Sequence, residues 1–378
     1  MPIQENRQVC TRCIMDTTAA GITFDAQGQC NYCTELLVEF SRVGTLVHQD
    51  YPKEAALQSL VEMVKAAGRH KEYDCIVGLS GGVDSSYALY RAKELGLRPL
   101  AVHMDNGWDS ELAANNIANL VQQLDLDLYT HVINWEEYRG LMQAFFEADV
   151  IDIELLYDNA MLAVNYQLAR RYGIRYILAG SNSATEGMRM PSNWNWYKLD
   201  KKNIVQIAKR FSKVKLSSFP AMSTLDYLYY QRLKKIQWIP FLDYFEYNKQ
   251  QCMQELVERF GYKPYPYKHY ESVFTRFYQG FILPEKFGVD KRKLHLSTLI
   301  CSQQLTRAQA LAMMQNSPYP SAQDLEIDKT YFYKKMGWTP QDLTDYVARP
   351  EVSHAIYGSE HLFLPKLHRL YARITGRK

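Results

Sequence analysis

Apolar positions along the chain follow two periods, and their alternation over residues 73–215 sets the reading of the rest. The short apolar run at 75–79 has the length and continuity of an inner strand buried on both faces, and 99–104, 127–133 and 175–179 read as further strands. Helical stretches separate them, at 87–95 before Gly96, at 110–124, and from about Asp158 to Tyr172 before Gly173. The pattern predicts an α/β fold, a parallel sheet with helices on both faces. Residues 46–72 read as a helical lead-in, with Ala56, Leu57, Leu60, Val61 and Val64 at helix spacing before Gly68. After 215 the parallel pattern fades. Residues 225–236 read as a tyrosine-rich helix and 238–243 as an edge strand, and Asn248 caps a helix ending at Gly261. Thr306-Arg-Ala-Gln309 is a capping box, and Thr339-Pro340 starts another helix. Residues 216–378 are therefore expected to be a mainly helical appendage.

The first inner strand runs into Gly78-Leu-Ser80-Gly81-Gly82-Val-Asp84-Ser85-Ser86. Gly81 and Gly82 lack a Cβ, so the backbone there can take positive φ and approach a ligand. Ser85 and Ser86 open the following helix, whose free N–H groups make an anion site. The hydroxyls of Ser80, Ser85 and Ser86 add neutral donors. Asp84 would repel a bare phosphate, and its presence implies an intervening Mg²⁺ ion. No lysine follows the glycines, which excludes the Walker P-loop, and Gly-x-Gly-x-x-Gly is absent. The string Ser80–Ser86 resembles the PP-loop of the ATP pyrophosphatase superfamily, which includes asparagine and GMP synthetases and tRNA thiolases. That resemblance implies a HUP-like PP-loop ATPase fold over 73–215, cleavage of ATP between its α and β phosphates, and adenylation of a carbonyl oxygen.

Ligands of parallel sheets lie at the carboxyl ends of the strands. Backbone near Val102, His103, Met104 and Asp105 is thus expected to hold adenine, and Gly180, Ser181 and Asn182 to line ribose and α-phosphate. His103 is read as a strand residue facing a helix, not as a base. The acids Asp152, Glu154 and Asp158 fit a helix-start charge preference, or catalysis, for which Asp158 is the candidate. The loop carrying Trp194 and Trp196 could stack on a sugar or pin the loop to the body, and Glu186 joins both tryptophans as a candidate substrate contact. The cluster Lys291-Arg292-Lys293 could neutralise the leaving pyrophosphate, or be a solvated turn; Lys291 and Arg292 are the catalytic candidates, with Asp84.

Residues 1–45 hold Cys10-Thr-Arg-Cys13 and Cys30-Asn-Tyr-Cys33 with sixteen residues between the pairs, a zinc-ribbon spacing around a small hairpin. Structural Zn²⁺ is expected on Cys10, Cys13, Cys30 and Cys33; an iron–sulfur cluster or four unrelated thiols are the alternatives. A segment so short should depend on metal to stay folded.

The 378 residues suffice for two or three domains, and a net charge of +3 is too small to indicate a nucleic-acid surface. No apolar run reaches membrane-span length, and no signal-like stretch follows Met1, so a soluble cytoplasmic protein is expected.

The order of ribbon, PP-loop, Val102-His-Met-Asp-Asn-Gly-Trp108, Gly180-Ser-Asn182, the Trp194-Asn-Trp196 loop and Phe287-Gly-Val-Asp-Lys-Arg-Lys293 resembles the N-acetyl sugar amidotransferases of bacterial surface-polysaccharide (lipopolysaccharide O-antigen) synthesis, of the WbpG and PseA kind. The resemblance spans almost the whole chain. It implies conversion of an acetamido group on a nucleotide-linked N-acetyl sugar into an acetamidino group, using ATP. Ammonia would come from a separate glutaminase, similar to the two-subunit imidazole glycerol phosphate synthase, because no glutaminase domain is recognisable here. Two rivals remain. A tRNA sulfurtransferase usually needs reactive cysteines near ATP, and the remaining Cys75, Cys252 and Cys301 sit in packed surroundings. A zinc-ribbon binding protein with a dead nucleotide fold would not need the intact Ser80–Ser86 string.

Overall fold

The structure is a computed structural model describing residues 7–43, 53–265 and 270–361; residues 46–52 of the expected lead-in lie outside the described residues. Five strands form one parallel sheet: β1 (Cys75–Gly78), β2 (Pro99–Asp105), β3 (Leu128–Val132), β4 (Tyr176–Ala179) and β5 (Gln237–Pro240), in the order β3-β2-β1-β4-β5. Alternate side chains go to opposite faces, as pleating requires. Cys75, Val77, Ala101 and Leu178 pack into one apolar cluster, while Ile76, Leu100, Val102, Met104 and Ile177 pack into another. The first cluster is covered by α2 (Lys53–Gly68), α3 (Val83–Glu94), α4 (Glu111–Leu124) and the later α10 (Lys249–Phe260). The second is covered by α5 (Trp135–Glu147), α6 (Leu155–Arg171) and α8 (Lys201–Phe211).

The chain winds outward from β1 to β3, then returns to the other side of β1 with β4. The strand order therefore reverses between β1 and β4, where an open sheet leaves a crevice.

The sheet continues past residue 215, because the expected edge strand is its parallel fifth member, ending at Pro240, which has no N–H to donate. The expected helix at 225–236 is a short α9 (Thr224–Leu228) followed by a π turn, Tyr229–Leu233.

Neither the cysteine segment nor the described part of the C-terminal region stands off as an appendage. A small α7 (Ser183–Glu186) precedes α8, and the described C-terminal region carries α11 (Val273–Phe277), α12 (Leu283–Phe287), α13 (Arg292–Cys301), α14 (Arg307–Gln315), α15 (Ala322–Met336) and α16 (Pro340–Ala348). Phe274, Phe277, Phe332 and Tyr346 from those helices share one cluster with Ile76, Trp108 and Phe146. Trp108 is fully buried against Phe274 and Phe332, with ring centroids 5.4 and 6.2 Å away. Cys10, Cys13, Cys30 and Cys33 belong to that same cluster. The expected hairpin between the cysteine pairs is reduced to the tight turn at 23–31, where Asp25 N–H donates to the Gln29 carbonyl at 2.9 Å and Asn31 N–H to the Thr23 carbonyl at 3.0 Å about the bridge of Phe24 to Cys30; a second bridge ties Asp16 to Val9, and Cys30 leads directly into α1 (Asn31–Val43).

Candidate active site

The turn after β1 is built from its own hydroxyls. Ser80 N–H donates to Ser85 Oγ at 3.2 Å, Gly82 N–H donates to Ser80 Oγ at 3.3 Å, and Ser85 Oγ donates to the Gly82 carbonyl at 3.2 Å. Gly81 takes φ +81°, and its carbonyl accepts from the hydroxyls of Tyr262 and Tyr265, each at 3.0 Å. Gly82 has φ −76° and caps α3 without a side-chain bond, so only Gly81 uses the left-handed freedom expected of both. Helix α3 begins at Val83, two residues before the expected serines, and its first turn carries the N–H groups that a helix leaves without an intrahelical partner.

The turn lines a cleft of about 700 Å³ at the β1–β4 crevice. Of the anticipated ATP residues, Gly78, Leu79, Ser80, Gly82, Asp84, Ser85, Val102, Met104, Gly180 and Ser181 line it, and so does Glu186. Five others do not. His103 has the opposite strand parity from Val102 and Met104; its Nδ1 lies 2.8 Å from the Leu79 carbonyl and its Nε2 3.0 Å from Asp109. Asp105 accepts from Gly107 N–H at 2.7 Å, and the buried Asn182 caps α7 through Thr185 N–H at 2.8 Å. Ser86 is fully buried, and Gly81 faces α4, where a Cβ would meet Ala113. Gly180 matters by packing: a Cβ there would stand 2.7 Å from Ser85 N.

Asp84 accepts from the Tyr247 hydroxyl, with Lys249 Nζ 3.5 Å away. Burial and the Asp84 charge push the Tyr247 hydroxyl up, with Glu186 adding to both. Asp84 and Glu186, two of the carboxylates on the cleft, together with the serine hydroxyls and the first-turn N–H groups of α3, are a hard-oxygen and donor set that suits Mg²⁺ with a phosphate.

Asp158 also lines the cleft, bound to Lys198 at 2.8 Å; the same Lys198 holds buried Asp152 at 2.7 Å. Enclosure pushes the Asp158 carboxyl above the usual range, Glu154 and Asp152 add to this, and Lys198 opposes it. Lys291 and Arg292 stand apart from the cleft, on the wall of an adjoining cavity. Lys291 pairs with Glu154 at 2.7 Å and Arg292 with Asp290 at 2.7 Å, while Lys293 turns away to Asp16 at 2.9 Å.

The tryptophans are pins. Trp194 is 1% exposed, so neither ring face is free for a sugar; its Nε1 donates to the Thr18 carbonyl at 3.4 Å. Trp196 stacks on His354 with centroids 4.9 Å apart and donates to Asp200 at 2.8 Å. Sequence reasoning missed Asn165, Lys249, Glu271, His295 and Met313 in the lining. They come from helices and loops far along the chain, and nothing in local spacing ties them to the turn.

The four cysteine sulfurs lie within 4.8 Å of one another, all buried. Cys10–Cys33 and Cys13–Cys30 are 3.9 and 3.8 Å apart. A tetrahedron with metal–sulfur bonds of about 2.3 Å has edges of about 3.8 Å. The donor set therefore fits a tetrahedral, thiophilic ion. Cys301 of α13 lies beside it, its sulfur 3.7 Å from that of Cys33.

A Ser-Gly-Gly-x-Asp-Ser turn between parallel strand and helix, opening at the switch point of the sheet, defines a PP-loop enzyme that uses ATP. Residues 54–211 match the NAD synthase family, and residues 271–371 match the C-terminal domain of the WbpG-like lipopolysaccharide biosynthesis proteins. Together the two matches support a PP-loop amidotransferase of the WbpG and PseA type. It is similar to the NMN synthetase structure from Francisella tularensis, at 16% identity over 57% of this chain and 99% of that one, with a TM-score of 0.30. It is also similar to the NH3-dependent NAD synthetase of Campylobacter jejuni in complex with the nitrate ion, at 14% identity over 72% and 100%, with a TM-score of 0.30. No curated protein matches the chain. No helix among the described residues is long and apolar enough to cross a membrane.

Proposed function

We propose that this enzyme adenylates the acetamido oxygen of a nucleotide-linked N-acetyl sugar and then adds ammonia, giving an acetamidino group, AMP and pyrophosphate. One observation carries the reading. The cleft is lined both by the PP-loop and by Glu271, His295, Leu296, Leu299 and Met313 of the region that matches the WbpG-like domain. A nucleotide-activating turn and a family-specific wall thus face the same space.

An amide oxygen is a poor leaving group, and transfer to AMP makes it a good one. The acetamido oxygen attacks the α-phosphate, and the bond to the β-phosphate breaks. The open N–H groups of α3 and the hydroxyls of Ser80 and Ser85 hold the phosphates. Mg²⁺, held by Asp84 with Glu186, would neutralise the departing pyrophosphate. Ammonia then attacks the imidoyl carbon, AMP leaves, and the proton released goes to Asp158, whose raised carboxyl suits it as acceptor. Ammonia comes from solution or from a separate glutaminase, and the reaction belongs in the cytoplasm with ATP and nucleotide sugars. Zinc fills the four-cysteine centre in a structural role.

Sulfur transfer fits poorly. Among the described residues no cysteine lines the cleft, and burial pushes the Cys252 thiol up to about 11. The test is AMP and pyrophosphate release from ATP and ammonium, with a UDP-linked acetamido sugar, with tRNA, and with no acceptor. Release with the sugar alone is expected. ADP as product, or stimulation by tRNA, overturns the reading.

A further inference from the structure

The adjoining cavity, of about 210 Å³, shares His295, Leu296 and Met313 with the main cleft. The two spaces differ in charge. The main cleft is lined by Asp84, Asp158, Glu186 and Glu271 against Lys249 and His295. The adjoining cavity is lined by Arg276, Lys291, Arg292 and His295, and by no carboxylate among the described residues. Each fixed cation is backed by an acid outside the lining: Asp328 behind Arg276, Glu154 behind Lys291, Asp290 behind Arg292. The pairs hold their cationic ends toward the space, so a ligand there meets positive charge first.

Phosphates that arrive with Mg²⁺ suit the acid-rich cleft, whereas an anion without metal suits arginine and lysine. Arg292 is placed for this. Its Nε and one Nη go to Asp290, and the other Nη donates to the Asn316 carbonyl at 2.9 Å. The guanidinium is thereby fixed, with two of its five N–H groups left for a ligand. The facing wall is a π turn, Tyr278–Ile282, between α11 and α12, which presents Gln279 and Gly280 to the cavity. Such turns break helical register and recur at ligand sites.

We infer that this cavity is the acceptor's phosphate subsite. It binds the phosphate group of the nucleotide-linked sugar through Arg292 and Lys291, and leaves the sugar at the His295–Leu296–Met313 neck, facing the cleft. This rests on the amidotransferase reading above, and it moves Lys291 and Arg292 from the leaving pyrophosphate to the acceptor.

The full chain would be titrated calorimetrically with UDP-N-acetylglucosamine, with inorganic pyrophosphate, and with Mg²⁺ plus α,β-methylene-ATP. The variants are Arg292→Gln and Ser317→Glu, the second placing an acid at an exposed position on the cavity rim. Both should weaken the UDP-sugar about tenfold or more, and leave the ATP analogue within about twofold. In turnover, KM for the acceptor should rise with KM for ATP unchanged. If the UDP-sugar binds and stimulates AMP release equally in all three proteins, the subsite is refuted and the amidotransferase reading stands. If wild type binds pyrophosphate in an Arg292-dependent way but no UDP-sugar, the cavity is a pyrophosphate exit, and both subsite and sugar acceptor are refuted.

Discussion

Asp84 tests the nucleotide chemistry at the scale of one atom. Asp84→Asn keeps an oxygen for the Tyr247 hydroxyl but removes the charge a cation needs. Pyrophosphate release should fall about a hundredfold or more, with the thermal midpoint nearly unchanged. Full activity in a folded Asp84→Asn protein would refute the role. His354 carries a second prediction. It is 1% exposed, accepts from Asp152 N–H at 3.3 Å, and has Nδ1 2.7 Å from Asn203 Oδ1. Burial pushes its pKa from 6.5 down to about 4; Asp152 works against that and Lys198 with it. The folded protein therefore refuses a proton that the unfolded chain accepts. The cost is absent above about pH 6.5 and grows as pH falls toward 4, reaching about 3 kcal/mol. Denaturant midpoints from pH 7.5 to 4.5 should fall less steeply in His354→Gln than in wild type, and equal slopes would refute the assignment. Residues of the turn were legible because they are contiguous and carry a chemical contradiction, an acid in a phosphate nest. Tyr247, more than a hundred and fifty positions later, has no such mark.

Elements divide the two turn glycines into different tasks. Gly81 needs φ +81°, and a Cβ there would sit 3.0 Å from the Ala113 carbonyl of α4. Gly81→Ala should cost about 2 kcal/mol, read from the urea midpoint, because the left-handed backbone and the α4 contact are both disturbed. Gly82 has an ordinary φ, and its Cβ would meet the rotatable Ser80 hydroxyl at 3.3 Å and Glu271 Oε1 at an ordinary 3.9 Å, on the cleft wall. Gly82→Ala should keep the midpoint and weaken Mg·ATP about tenfold, measured by calorimetry. The reverse assignment of losses would refute the geometry. At this scale the sequence was informative wherever burial was two-sided: β1, β2 and β4 read as strands because helices cover both faces. β5 was legible as a strand but not as a member of the sheet. Its half-exposed Trp238-Ile239-Pro240 pattern is that of any edge, and pairing with β4 is a long-range choice.

On the scale of the molecule, the cysteine centre is joined to the cleft through α13, with Arg307 of α14 beside it. Arg307 donates to the carbonyls of Cys13 and Cys10 at 3.0 and 3.1 Å, Ile14 N–H donates to Ser297 Oγ at 3.2 Å, and Lys293 holds Asp16 at 2.9 Å. Cys301 completes that face, while His295, Leu296 and Leu299 of the same helix line the cleft. Spacing of the cysteines revealed the donor set but suggested a self-contained ribbon, since a knuckle pattern says nothing of what it rests against. Shared burial changes what metal loss should do. An isolated ribbon would melt first and alone, leaving nucleotide binding intact. Here, chelation leaves four buried thiols in the main core and loosens the helix that walls the cleft, so one cooperative transition should shift down. With several kilocalories of metal binding lost, the drop should be about ten degrees. Mg·ATP affinity should fall with it, and Cys301→Ser should keep one zinc per chain, measured by elemental analysis, because Cys301 lies outside the four-sulfur set. A separate low-temperature transition that spares nucleotide binding would show the centre to be an independent module, and α13 would then lose its part in linking metal to cleft.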